Sequence, residues 1–126
     1  MSEQRRIVDL SSRVMDGDPW HAGNIASLLA DVTAAEAAAR PIPGAHSIWQ
    51  IVLHMTGWAE EVRLRVAGAP AGNPAMGDWP RVGPVGQARW EAARAALFTA
   101  YRALEHDVAR MSVRDLSLPT LDPRKR

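Results

Sequence analysis

The 126-residue sequence has no cysteine, which excludes disulfides, thiolate metal sites and cysteine nucleophiles. Charge of one sign is also missing. Fifteen Lys and Arg face fourteen Asp and Glu, for a net charge of +1, which leaves no electrostatic footprint for nucleic acid or an anionic membrane. Lysine is nearly absent, one against fourteen arginines, and the arginines are scattered, a pattern of genome composition rather than of a binding patch. The one basic run, Arg124-Lys125-Arg126, lies at the chain end and reads as a frayed tail. No apolar stretch approaches the ~18 residues of a membrane span. Met1-Ser2-Glu3-Gln4-Arg5-Arg6 is not followed by the apolar core of a signal peptide. A cytoplasmic protein is expected. With one Tyr, one Phe and only short β-branched runs, strands are disfavoured.

What is present is Ala, Leu and Val with five Trp, in a chain that is 47% apolar. That suffices for one core and one domain, and the residue types favour helices.

The order of stripes and breakers predicts those helices. From Gln4 to Met15, Ile7, Leu10 and Val14 recur at helical spacing until Asp16-Gly17-Asp18-Pro19 interrupts, with Asp18 suited to cap the next helix. Ile25, Leu28, Leu29 and Val32 continue the pattern as a second piece. Thr33-Ala34-Ala35-Glu36 is a capping box opening a short helix, which Arg40-Pro41-Ile42-Pro43-Gly44 ends. From Ser47 to Ala67 a longer helix carries Ile48, Ile51, Val52, Met55, Trp58, Ala59, Val62 and Val66 as one stripe. Residues 68 to 85 hold four glycines and four prolines around Asp78-Trp79-Pro80, a long loop of the kind that covers a site or moves. From Gly86 to Met111, Trp90, Ala93, Leu97, Tyr101, Leu104, Val108 and Met111 mark the last long helix. Ser112 to Leu116 adds a short turn, and the chain beyond Pro119 reads as unstructured. Two long amphipathic helices and one broken one leave an apolar groove over, because such bundles are most often closed by four.

Few residues can carry chemistry. Gly83-Pro84-Val85-Gly86 lacks the pattern and the Lys of a phosphate loop, and neither G-x-S-x-G nor H-E-x-x-H occurs. Glu60 and Glu61 point about 100° apart on a helix and read as a solvated face. Four histidines remain. His106 lies opposite its helix's stripe and reads as exposed. His46 belongs to the cap region of the long helix. It stands eight residues, about 12 Å along a helix, from His54, too far for the two to share one metal. His21 follows Trp20 at a helix start. His54 falls on the flank of the stripe, one turn from Ile51 and Trp58. Spacing leaves two readings there: a half-buried histidine bonded to a neighbour, or a metal ligand.

The runs Asp18-Pro19-Trp20-His21-Ala22-Gly23 and Pro41-Ile42-Pro43-Gly44-Ala45-His46-Ser47-Ile48-Trp49-Gln50-Ile51-Val52-Leu53-His54-Met55-Thr56-Gly57-Trp58 resemble the DinB/YfiT-type metalloenzymes. Asp78-Trp79-Pro80 and Trp90 add to the likeness, which spans about residues 5 to 118. The resemblance implies an all-α, up-down-down-up four-helix bundle, often dimeric. Three histidines of that bundle hold a divalent metal such as Zn or Ni. His54 matches the ligand on the second long helix. The other two form an H-x-x-x-H pair on the fourth helix, and no such pair occurs in this sequence. Arg126 falls about where that helix is expected to begin. About three helical segments are therefore expected, as a domain over residues 1–118 with a flexible tail at 119–126 and the fourth helix missing. One histidine cannot hold zinc, which takes three protein ligands or more. Relatives of this type include transferases dependent on mycothiol or bacillithiol. The expectation is a metal-dependent homodimer acting with a small-molecule thiol. The alternative is a non-catalytic, truncated helical module acting through dimerisation or partner-helix binding.

Overall fold

A computed structural model describes residues 2–17 and 23–119. Among them the regular structure is all α. The helices are α1 (Glu3–Met15), α2 (Ile25–Leu29), α3 (Ala34–Ala38), α4 (Ile48–Val66), α5 (Gln87–Ala109) and α6 (Val113–Ser117). The expected cap at Asp18, His21 and most of the tail at 119–126 lie outside the described residues. None of these helices is long and apolar enough to cross a membrane.

The boundaries are set by side chains that satisfy the orphan amides of each first turn. Ser2 caps α1 and Asn24 caps α2. Capping boxes open α3 (Thr33 with Glu36), α4 (Ser47 with Gln50) and α6 (Ser112 with Asp115). At its far end α4 closes in a Schellman motif. The Ala69 amide reaches Leu64 O and the Gly68 amide reaches Arg65 O. This requires the left-handed φ of 104° that Gly68 adopts without steric cost.

Side-chain pairs give the helix directions. At one end Trp49 of α4 meets Trp90 of α5, their rings 5.5 Å apart. At the other end Arg63 pairs with Asp107 at 2.7 Å. Starts meet starts and ends meet ends, so α4 and α5 run parallel. Along α1 the order reverses: Gln4 bonds Met111 O, Ser12 bonds Glu105, and Asp16 pairs with Arg102. The three long helices are therefore up, down, down, the first three members of the expected order. Parallel neighbours also explain the long connection after α4, which has to carry the chain back over a 19-residue helix, about 28 Å.

The core lies between α4 and α5 and is closed by α2 and α3. Trp49, Val52, Trp90 and Leu97 are its buried centre, with Leu29, Ala34, Ala37 and Met15 around them. The Trp90 indole N–H donates to Val32 O at 2.7 Å, satisfying a polar group inside. The α1–α5 seam is polar. Buried Glu105 accepts the hydroxyls of Ser11 and Ser12 at 3.1 and 2.9 Å and the Arg102 guanidinium at 3.0 Å.

The apolar stripes of α1 and α4 are only partly covered. On α4 the buried set is Trp49, Val52, Thr56 and Ala59, whereas Ile48 and Ile51 are 39% and 43% exposed. On α1, Met15 is buried and Val14 is not. The reason is the layout. Both α1 and α4 pack along α5 and scarcely touch each other. A cleft opens between them, lined by Ile7, Val62, Val66, Val108, Met111 and Leu116.

Leu97→Ala is expected to cost about 2–5 kcal/mol by leaving a core cavity, while Ile51→Ala costs within about 1 kcal/mol. Urea denaturation of the two variants checks the contrast.

Candidate functional site around His54

The loop returning from α4 folds back onto α4 itself. Gly57 makes this approach possible, since a Cβ there would stand 3.1 Å from Met76 and 3.3 Å from Pro74. Glu61, one turn on, holds the near end of the loop. Its carboxylate accepts the Gly72 amide at 3.1 Å and the Arg65 guanidinium at 2.5 Å, and Arg65 also donates to Gly72 O at 2.9 Å. Of the two carboxylates read as a solvated face, Glu60 is exposed but Glu61 is buried. A charge at that depth persists because it is paired and hydrogen-bonded. The Arg65 hydrogen bond holds the Glu61 carboxyl below the ordinary glutamate value, with the Gly72 amide adding to it and burial opposing it.

The far end of the loop is held at Asp78. Its Oδ1 accepts the Trp58 indole N–H at 2.7 Å. Its backbone carbonyl lies 2.6 Å from His54 Nδ1, and Oδ1 lies 3.1 Å from the same nitrogen. A carbonyl oxygen only accepts, so Nδ1 carries the proton. In the neutral ring the lone pair is then on Nε2.

Trp79 is the next residue, and its indole stacks on two imidazoles. His54 lies at 3.8 Å and 7°, His46 at 3.6 Å and 4°. Two rings cannot share one face of an indole at such short centroid distances without colliding, so the imidazoles take opposite faces. His46, read from the sequence as part of the helix cap, is therefore one side of a three-ring stack, and Ser47 does the capping.

The sequence candidates thus separate. His54 and His46 are brought to one place, with an indole between them that keeps them from sharing a metal. His106 is exposed, as expected. Asp78 and Trp79 are the site residues that spacing did not reveal. Their signals in the sequence were their position in a glycine- and proline-rich loop and their part in the family likeness.

His54 meets one requirement of a metal ligand, because bonding of Nδ1 to a carbonyl is how proteins orient a ligating imidazole. The donor set does not meet the rest. Among the described residues no group of three or more His, Asp or Glu side chains could hold a metal ion. The carboxylate of Asp78 accepts the Trp58 N–H and lies on the Nδ1 side of the His54 ring, away from the Nε2 lone pair. These residues do not on their own fit Zn or Ni.

A family model for the DinB superfamily matches residues 20–125. No curated protein and no solved structure matches the chain.

Because the folded Glu61 pKa is depressed, its contribution to stability is full above the unfolded value of 4.5 and is lost as pH falls through the lower folded value. Urea melts from pH 7 down to 3 are expected to show that loss in the wild type. Glu61→Gln, less stable at pH 7, shows a shallower decline below pH 4.5.

Proposed function

Since the chain belongs to the DinB superfamily yet brings one prepared histidine rather than three to its candidate centre, we propose that it is a non-catalytic DinB-type helical module that pairs with a second copy of itself. The observation that carries this reading is the cleft between α1 and α4. Bundle helices bury their stripes against neighbours, and here Ile7, Val62, Val66, Val108, Met111 and Leu116 line an open cleft instead. Ile48 and Ile51, nearer the start of α4, are further exposed apolar side chains. A mainly apolar cleft of this kind, rimmed by Arg65 and Asp115, marks an interaction site. A second copy suits it because a net charge of +1 opposes self-association very little, and a two-fold pair lets each copy cover the other's cleft. A cytoplasmic setting goes with this reading.

A second reading is favoured by the orientation of His54. In it the protein is metal-dependent, with His54 Nε2 as one ligand to a divalent ion such as Zn or Ni. Further donors then come from outside the described residues, such as His21 or the second copy. Transfer from a small-molecule thiol belongs to this reading, and no step of it can be built from the residues described.

Light scattering on eluting protein, together with elemental analysis of the same peak, separates the two. The module reading expects a dimer without stoichiometric metal, and a monomer for Val62→Asp with its helical circular dichroism retained. A wild-type monomer at tens of micromolar overturns it. Stoichiometric Zn or Ni that is lost in His54→Ala overturns it in favour of the metal reading.

A further inference from the structure

The three-ring stack does something neither reading uses. Trp79 is large, apolar and 39% exposed, and it sits in a loop rather than a helix. Its indole N–H has no hydrogen-bond partner among the described residues. The contrast is with Trp58 and Trp90, whose N–H groups donate to Asp78 and Val32 at 2.7 Å. The backbone beside Trp79 is held independently of its ring, through the Asp78 carbonyl and carboxylate on His54 and Trp58. His54 is set by α4 and its Nδ1 bond, and His46 by the turn before the Ser47 cap. The two imidazoles are thus near-parallel walls on separate supports, spaced by the thickness of one ring, with an indole stacked between them and no hydrogen bond to its ring.

We infer that the slot between His46 and His54 is a binding site for a free planar heteroaromatic ring of indole or purine size, with Trp79 as its resident occupant. Flat walls one ring apart admit a flat body and exclude a puckered one. The size is that of the indole that fills the slot. An occupant whose ring stacks on both faces and makes no hydrogen bond exchanges with a ligand ring that stacks equally well, since stacking asks only for a flat π-face. Rotation of the Trp79 side chain toward solvent is enough to vacate the slot, because the loop's anchors at Gly72 and Asp78 do not involve the ring. The site depends neither on pairing of copies nor on a metal.

The test uses the full chain and indole as the probe, monitored by calorimetry and by histidine ring-proton NMR. Trp79→Ala is expected to bind indole, and the wild type to bind it more weakly, because Trp79 competes. Adding His46→Ala to Trp79→Ala weakens binding about fivefold, the worth of one stacked face. Cyclohexanol, which is not flat, does not bind. In NMR the ring protons of His46 and His54, shifted upfield by Trp79 in the wild type, return toward ordinary positions in Trp79→Ala and move upfield again with indole. Folded Trp79→Ala that fails to bind indole, or that binds cyclohexanol equally, overturns the inference. So does binding indifferent to His46→Ala. If Trp79→Ala does not fold, the inference is overturned as well, because a side chain the fold depends on is not a replaceable occupant.

Discussion

Two helices that succeed one another in the chain and lie parallel need a connection able to run the length of a helix. Most of the functional surface here depends on that constraint. The Trp49–Trp90 contact and the Arg63–Asp107 pair fix α4 and α5 in parallel, and the chain between them has to return along the bundle. A return of that length cannot be left free without entropic cost, so α4 carries a face that receives it. Gly57 gives the loop space, Glu61 takes its first amide, and Trp58 and His54 take Asp78. His54 is therefore placed on the receiving face of its helix, and the same loop lays Trp79 against it.

Two kinds of interaction divide the molecule. The α4–α5 seam is apolar and fully buried around Trp49, Trp90 and Leu97, where packing is hard to alter without loss. The α1–α5 seam and the returning loop are held mainly by charge-assisted hydrogen bonds at Glu105 and Glu61. Such contacts set position well but contribute less net stability than buried area. The loop and α1 are thus the elements from which local opening is drawn most easily, and both border surfaces proposed to meet a partner or a ligand.

Much of the fold was legible in the sequence, because caps and breakers act locally. The Thr33–Glu36 box, the Pro41 to Gly44 stop and the long stripes put five of the six helices within about two residues of their places, while α2 starts at Ile25 behind an Asn24 cap rather than behind the Asp18 that the sequence suggested. The direction of α5 relative to α4 was not legible from spacing; it came with the family likeness. Nor was the inward face of α4 fully legible. A stripe of eight apolar residues is wider than one neighbour can cover, and which half is buried depends on where α5 lies. Trp49, outside the stripe, is in the core, while Ile51, inside it, is exposed. At the site, His54 stood out on its helix flank. Asp78, Trp79 and the stacking role of His46 are long-range partners across 24 and 33 residues, which no periodicity records. Glu61 was misread for the same reason, since the amide that buries its charge comes from the loop.

The parallel arrangement of α4 and α5 underlies all of this, and the absence of native cysteine makes it directly measurable. Spin labels on cysteines introduced at the exposed positions Ile51 and Ala92, and separately at Leu64 and His106, report the separations of the helix starts and of the helix ends. Both separations are predicted to be short, near the helix spacing of about 8–10 Å plus the label arms. The crossed pairs, Ile51 with His106 and Leu64 with Ala92, are then longer by most of the helix length. Short crossed pairs and long like-with-like pairs would contradict the account.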